Sequence, residues 1–117
     1  MVELTKKQKP YIPERGDVVM CDFNPVAGHE QAHHRPALVL SPRVFNKRTG
    51  MAILAPITST VRGHGLEVSL ESSHTKGVAL IHQIRSIDYV ARAVVYRGQA
   101  SNAVITEACN KASLLFR

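Results

Sequence analysis

The sequence predicts an α+β domain, a small antiparallel β-barrel with one amphipathic helix at its C-terminus. The length of 117 residues suits a single domain, because a chain of this size buries roughly two-thirds of its unfolded surface. Between residues 16 and 99, short apolar runs alternate with polar, glycine-containing loops, a pattern typical of antiparallel strands. After residue 100 the apolar residues recur at helical spacing, which predicts one terminal helix packed on the barrel.

Five or six strands are predicted from the apolar runs. Gly16–Phe23 carries Val18 and Met20 on one face and Val19 and Cys21 on the other, so burial from both sides is expected. The remaining predicted strands are Pro36–Ser41, Met51–Thr58, Leu66–Leu70, Gly77–Ile87 and Ala93–Gln99. Pro42–Gly50 is predicted to be a turn with room for one helical turn.

The predicted helix covers Ser101–Phe116, while residues 1–15 form a polar arm of the single domain 1–117. Ser101 can cap the helix by accepting a hydrogen bond from its first turn. The apolar stripe of this helix is formed by Ile105, Ala108, Cys109, Ala112, Leu115 and Phe116. Cys21 and Cys109 lack the spacing of a disulfide scaffold, so both are expected in or near the core.

Charge and hydropathy limit the class of function. The net charge of +6 suits a polyanionic partner, either nucleic acid or an acidic protein segment, although a basic surface also serves solubility alone. The sequence contains no run of about 18 apolar residues, so no membrane span is expected. The N-terminal lysines are not followed by an apolar core, so a secretory signal is not predicted and a cytoplasmic location is expected.

The densest group of ionisable residues lies in "GHEQAHHRPALVLSP", Gly28–Pro42. It ends a loop of about eleven residues, longer than most connections and of the length that is more often functional. Arg35 stands where this loop meets a strand, and its guanidinium matches the geometry of phosphate oxygens. The structural alternative is an ion pair between Arg35 and Glu30 that only fixes the loop.

The loop histidines His29, His33 and His34 allow two interpretations. Solvated side chains are the default, and one general acid or base among them is the alternative. A zinc site would need a further well-spaced ligand, which neither cysteine supplies. A metal is therefore not predicted.

Further candidates lie on other segments. Thr58 ends a predicted strand, where its hydroxyl can donate to a phosphoryl oxygen or serve only as an ordinary strand residue. The loop cations Lys47, Arg48, Arg62 and His64 are either solvated or jointly neutralise phosphates. In "HQIRS", the side chains of His82, Ile84 and Ser86 alternate with those of Gln83 and Arg85, so one polar face lines a site or meets water.

These segments resemble the MazF/PemK family of toxin endoribonucleases. The resemblance rests on "GDVVMCDFNPVAGHEQAHHRPALVLSP", "APITST" and "GVALIHQIRSID", in that order, from about Tyr11 to Ala93. Its most specific parts are the Asp-Phe-x-Pro turn, the Gly-x-Glu-Gln loop and the His-Arg-Pro sequence before an apolar strand. It implies a homodimer of SH3-like barrels of the kind shared with the CcdB gyrase poison.

The resemblance also implies an activity and a partner. The activity is metal-independent cleavage of single-stranded RNA, without a cofactor, that leaves a 2′,3′-cyclic phosphate and a 5′-hydroxyl. The partner is a cognate antitoxin whose acidic, disordered tail occupies the RNA groove. Both ligands agree with the basic charge of the chain.

The resemblance carries over to individual residues unevenly. Arg35 and Thr58 match a catalytic pair, Glu30 and Gln31 match loop residues implicated in activity or RNA contact, and His34 matches the histidine before the arginine. The sequence departs from the family pattern at Met20, His33, Leu80 and His82. Leu80 replaces the catalytic arginine of one branch of the family, so the mechanism of that branch is not available here. The predicted catalytic residues are Arg35, Thr58, Glu30 and His34, and the predicted RNA-binding residues are Gln31, His33, Lys47, Arg62, His82, Gln83 and Arg85.

The expected reaction is attack of a ribose 2′-hydroxyl on the adjacent phosphate. Glu30 or a neutral histidine such as His34 or His82 would remove the proton, and Arg35 and Thr58 would hold the phosphate oxygens. The donor of the proton to the 5′-oxygen is not assigned by the sequence. The alternatives are an RNA-binding module without catalysis, an inactive relative that binds only an antitoxin, and a CcdB-like gyrase poison.

Overall fold

A computed structural model describes residues 10–23 and 34–117. Within these ranges the chain forms seven strands, two α-helices and one short 3₁₀ helix. They are β1 (Asp17–Asp22), β2 (His34–Val39), α1 (Arg43–Thr49), β3 (Met51–Thr58), β4 (Glu67–Ser72), β5 (Thr75–Leu80), the 3₁₀ helix (Ile81–Gln83), β6 (Arg85–Asp88), β7 (Val95–Gln99) and α2 (Asn102–Leu114). None of these helices is long and apolar enough to cross a membrane.

The strands form one curled antiparallel sheet in the order β4-β5-β3-β2-β1-β7, with β6 also paired to β3. Its two outer strands, β4 and β7, approach each other, since a Cβ at Gly98 would lie 3.3 Å from Oγ of Ser72. The predicted α+β class, an antiparallel barrel-like sheet with a C-terminal helix, is therefore confirmed.

Apolar side chains are buried on both faces of the sheet, as the sequence of the first strand predicted. Val18 packs in one core cluster, while Val19 and Cys21 pack in the other. Helix α2 covers the first cluster and buries Ala108 completely. Gly16, with φ +94°, lets α2 approach closely, because a Cβ there would lie 2.3 Å from Cδ1 of Ile105.

The predicted apolar stripe of the C-terminal helix is wrong at its last two residues, Leu115 and Phe116. Ser101 caps α2 as predicted, accepting a hydrogen bond from the Val104 N–H at 3.2 Å. The helix, however, ends at Leu114. Leu115 and Phe116 are 38% and 81% exposed because the helix ends before them and they pack against neither core cluster.

The predicted single strand Gly77–Ile87 is two strands separated by the 3₁₀ helix. Strand β5 pairs with Ile57 and Thr58, whereas β6 pairs with Met51–Leu54 of the same β3. The chain must therefore shift along one edge of β3 between the two pairings. The N–H of Ile81 extends the β4–β5 ladder by one residue and donates to the Leu66 carbonyl at 3.0 Å, so its buried donor stays paired.

The predicted turn Pro42–Gly50 contains a longer helix than expected, α1. Asn46, fully buried on this helix, donates from Nδ2 to the carbonyls of Pro13 and Ser41 at 2.8 and 3.1 Å. These contacts tie the helix to the nearby end of β2 and to the distant residue Pro13, and they stabilise the helix. Gly50 ends it at φ 71°, a conformation that glycine adopts without steric cost.

Candidate active site

Arg35 and Thr58 are brought together by the pairing of β2 with β3. The register of this pair sets Ala37 opposite Pro56 and Val39 opposite Leu54. Continued by two residues, it sets Arg35 opposite Thr58, and directly opposed residues point to the same face of a sheet. Residues 23 positions apart in the sequence thus share one surface.

Thr58 has a defined environment at the end of β3. Its Oγ1 accepts a hydrogen bond from the Thr60 N–H at 3.2 Å. That bond uses the acceptor side of the hydroxyl and leaves its hydrogen available to donate to a ligand. On the other side, Gly77 of β5 lies against the Thr58 backbone, where any Cβ would lie 2.3 Å from the Thr58 carbonyl oxygen.

A cavity of about 470 Å³ contains both Arg35 and Thr58, and we refer to it as the Arg35–Thr58 cavity. Its other charged or titratable lining residues are His74, Lys76 and Arg97. None of the described residues that line it is an aspartate or glutamate. The site therefore holds three permanent positive charges without a lining carboxylate, a composition suited to phosphate oxygens.

Arg97 reaches this cavity because the sheet curls. It lies on β7, while His74 and Lys76 belong to the β4–β5 hairpin. The close approach of Gly98 to Ser72 and Ser73 brings β7 beside the hairpin turn. His74, Lys76 and Arg97 were not predicted from the sequence, because strand order and sheet curvature, and no local motif, set their proximity.

Arg35 also lines a second cavity of about 250 Å³ with Phe23, Pro56, Gln83 and Arg85, which we refer to as the Gln83 cavity. The guanidinium of Arg85 lies 5.4 Å from the centroid of the Phe23 ring, within the range of a cation–π contact. Arg35 thus lies between the two cavities. Gln83 and Arg85, both predicted from the sequence as site residues, thus lie in the same region as Arg35.

Cys21 lies next to this region without a chemical role of its own. It pairs with Arg35 in the β1–β2 register and is fully buried. Burial raises the pKa of the Cys21 thiol to about 11, although Arg85 and Arg92 act in the opposite direction. The thiol is therefore protonated at neutral pH and is not a nucleophile.

His82 lies beside the Gln83 cavity and does not line it. Its ring packs edge-to-face on His64, with centroids 4.7 Å apart, and its Nε2 is 3.4 Å from Nε2 of Gln83. Nδ1 of His64 accepts from the Leu66 N–H at 3.2 Å, which places the hydrogen of a neutral ring on Nε2, 3.7 Å from Oε2 of Glu67. His82 thus contacts Gln83 from outside the lining of the cavity.

Glu67 organises the β3–β4 loop through backbone donors. Its buried carboxylate accepts from the N–H groups of Gly63 at 2.8 Å and Arg62 at 3.0 Å. Burial acts to raise the pKa of this carboxyl, but these two N–H groups and the neighbouring His64 and Arg62 outweigh it and hold the pKa below its usual value. The exposed Arg62 side chain lines neither cavity.

Two further predicted residues, Lys47 and His34, are described by the structure and line neither cavity. Lys47 is exposed near the end of α1. His34 opens β2 opposite Asp22 and lines neither cavity. Glu30, Gln31 and His33 lie outside the described residues. No group of three or more metal-ligating side chains occurs in residues 10–23 and 34–117.

The family of the chain follows from sequence comparison. A family model described as the PemK-like, MazF-like toxin of type II toxin–antitoxin systems matches residues 14–116. The chain belongs to this PemK/MazF family. The resemblance inferred from the loop and strand motifs is thereby confirmed.

Other members of the PemK/MazF family agree in sequence and fold. The endoribonuclease toxin MazF of Escherichia coli K12 is 44% identical over 88 residues, which cover 75% of this chain and 79% of that protein. Endoribonuclease EndoA of Bacillus subtilis is 36% identical over 83 residues, covering 66% and 72%. The crystal structure of MazF from Deinococcus radiodurans superimposes with a TM-score of 0.80 at 39% identity, covering 92% of this chain and all of that one. A MazE–MazF complex from the same organism gives a TM-score of 0.79 at 33% identity, covering 92% and 97%.

Proposed function

We propose that this PemK/MazF family member is an endoribonuclease toxin that cleaves single-stranded RNA in the cytoplasm without a metal ion. The observation that carries the proposal is that Arg35 of β2 and Thr58 of the paired strand β3 line one cationic cavity. RNA supplies both the phosphates that such a cavity binds and the 2′-hydroxyl that can attack them. Related proteins of the same fold are named endoribonucleases, which supports the same activity here.

The proposed reaction is transesterification within the RNA strand. The 2′-oxygen attacks the adjacent phosphorus, the bond from phosphorus to the 5′-oxygen breaks, and a 2′,3′-cyclic phosphate and a 5′-hydroxyl remain. Arg35 binds the non-bridging oxygens through its guanidinium fork. The Thr58 hydroxyl donates to the same oxygens as negative charge develops, a contribution on the order of 10²–10³ in rate for one positioned donor.

The flanking RNA is held by the cations around the reacting phosphate. Lys76 and Arg97 bind a neighbouring phosphate on one side of Arg35. On the other side, Gln83, Arg85 and Phe23 offer an amide, a guanidinium and a ring to an unstacked base, the kind of contact that reads single-stranded RNA. The 2′-proton is taken by Glu30 or by a histidine such as His34.

An acidic antitoxin segment competes for the same surface. The Arg35–Thr58 cavity lacks any described lining carboxylate, so an acidic chain meets the same attraction as RNA. Structural neighbours of this chain were solved as MazE–MazF complexes, which supports a cognate antitoxin as the natural inhibitor.

The protein is also proposed to be a homodimer. Apolar side chains are exposed on α1 and just past α2, where Val44 is 62% and Phe116 81% exposed. A largely apolar groove of about 390 Å³ between these helices is lined by Phe45, Cys109 and Phe116. Apolar surface of this kind suits a partner subunit. Light scattering on the protein and on Phe116→Ser would show a dimer that the substitution weakens.

The experiment that tests the activity uses a pool of single-stranded RNA sequences in EDTA, with the same sequences as all-2′-deoxy strands. The protein should cut RNA alone and leave a cyclic phosphate that mass spectrometry identifies. Arg35→Ala should be silent while retaining its fold by circular dichroism. Arg48→Ala, which changes an exposed arginine near the end of α1, is the matched control and should cut.

Three results would contradict the proposal. Binding of RNA without fragments, across the whole pool and at high protein concentration, would leave an RNA-binding or antitoxin-binding module. Inhibition of gyrase with intact RNA would indicate a CcdB-like poison. Cleavage of the deoxy strand would exclude attack by the 2′-hydroxyl.

A further inference from the structure

The Arg35–Thr58 cavity contains one imidazole, that of His74. The described part of the chain has His34, His64, His74 and His82, and among these only His74 lines the cavity. His74 is exposed in the two-residue turn between β4 and β5. It forms no hydrogen bond with another described residue, so its ring nitrogens are available to a ligand.

We propose that His74 is the general acid of the cleavage reaction, donating its proton to the departing 5′-oxygen. The inference rests on the proposed ribonuclease activity and assigns the proton that the sequence left unassigned. As the bond from phosphorus to the 5′-oxygen breaks, the imidazolium proton passes to that oxygen, and the leaving strand departs as an alcohol. The neutral ring then takes a proton from water.

The chemistry of the side chains that line the cavity favours His74 over the other proton donors there. Arg35, Lys76 and Arg97 carry protons, but guanidinium and ammonium groups are far weaker acids than imidazolium. The hydroxyls of Thr58 and Thr75 are weaker still. Imidazole alone among these side chain types exchanges its proton near neutral pH.

The position of His74 also suits this role. Arg35 and Thr58 bind the reacting phosphate from β2 and β3, while the hairpin turn with His74 forms another wall of the same cavity. A phosphate bound between these walls presents one of its ester oxygens to the turn. Lys76 and Arg97, which line the same cavity as His74, hold the next phosphate and so direct the leaving strand toward the ring.

The test compares two RNA substrates in single-turnover reactions. One has an ordinary phosphodiester at the cleaved position, and the other has sulfur in place of the 5′-bridging oxygen. A thiolate leaves without being protonated, so the sulfur substrate has no need of a general acid. His74→Gln should slow cleavage of the ordinary substrate about 10²–10⁴-fold and should cleave the sulfur substrate at a rate close to that of the unmodified protein.

Two control variants isolate the acid role. Ser73→Ala changes the neighbouring residue of the same turn, which does not line the cavity, and should cut both substrates normally. Arg35→Ala should be slow on both, because charge on the phosphate oxygens develops with either leaving group. Binding of an uncleavable 2′-deoxy strand should be unchanged in His74→Gln.

The outcomes separate this inference from the proposed function. Equal slowing of His74→Gln on both substrates, or a loss confined to RNA binding, would overturn the acid role. A His74→Gln variant that cuts as fast as the unmodified protein would do the same. In both cases the unmodified protein still cuts RNA, whereas its failure to cut either substrate would overturn the ribonuclease function itself and this inference with it.

Discussion

Gly77 lies against the main chain of Thr58, so closely that a Cβ on Gly77 would be 2.3 Å from the Thr58 carbonyl oxygen. Strand β5 can pair with the end of β3 at this distance only because residue 77 has no side chain. The same pairing holds the His74 turn and Lys76 near Arg35. The lack of a side chain at Gly77 of β5 thus sets the position of Thr58 at the end of β3.

Gly77→Ala is therefore expected to displace β5 from Thr58. We expect a loss of stability of about 1–3 kcal/mol, as for other overpacked sites, and a loss of RNA cleavage that exceeds the loss of folded protein. Urea unfolding and single-turnover cleavage measure the two effects. Gly65→Ala, where a Cβ would have nothing within 4 Å, is the matched control and should keep full cleavage.

Thr58→Val removes the hydroxyl and keeps the shape of the side chain. We expect cleavage to slow on the order of 10²–10³-fold with little change in RNA binding, because the hydroxyl matters most when charge develops on the phosphate. Thr58→Ser should retain most of the activity. Equal rates for the valine and serine variants would show that the hydroxyl has no part in the reaction.

Arg97→Ala tests whether β7 contributes to RNA binding. Loss of one phosphate contact should reduce the slope of log affinity against log salt by about 0.7 for a single strand. The affinity itself should fall for every sequence alike, since a phosphate contact does not read bases. Titrations of a 2′-deoxy strand at several salt concentrations measure both quantities. Arg117→Ala, at the C-terminus, removes the same charge elsewhere and should leave the slope unchanged.

Glu67→Gln should lower stability in a pH-dependent way. The pKa of this carboxyl is held below its usual value in the folded state, so its stabilising effect is fully present above the unfolded pKa of about 4.3. It is lost as pH falls below that value through the folded pKa. Urea midpoints of the two proteins should differ at pH 7 and converge near pH 3. Glu71→Gln, exposed on the same strand, should match the unmodified protein throughout.

The two cysteines should differ in reactivity. Cys21 is fully buried and burial raises its pKa to about 11, so its thiol stays protonated at pH 8, whereas Cys109 is half-buried and lines the groove beside Phe116. A thiol reagent at pH 8 should modify Cys109 of the native protein once dilution has dissociated the proposed dimer, whose groove Cys109 lines, and should modify both cysteines after unfolding. In Cys109→Ser the native protein should not react, and rapid reaction there would show that Cys21 is accessible.

The sequence by itself determined those features that depend on local patterns. Apolar runs identified β1, β2 and β3, Ser101 marked the start of α2, and the short motifs led to the family. Arg35 and Thr58 were predicted as site residues as well, because each stands at the junction of a strand with a polar loop. That position is visible in the sequence and holds a functional side chain on a rigid element.

Only the tertiary structure decided how distant segments combine. Helix α1 depends on hydrogen bonds from Asn46 to Pro13 and Ser41, and the break at Ile81 depends on β5 and β6 sharing one edge of β3. His74, Lys76 and Arg97 lie near Arg35 because the sheet curls and brings β7 beside the β4–β5 turn. Such contacts join residues far apart in the chain, and strand pairing and curvature, which no local pattern encodes, set their distances.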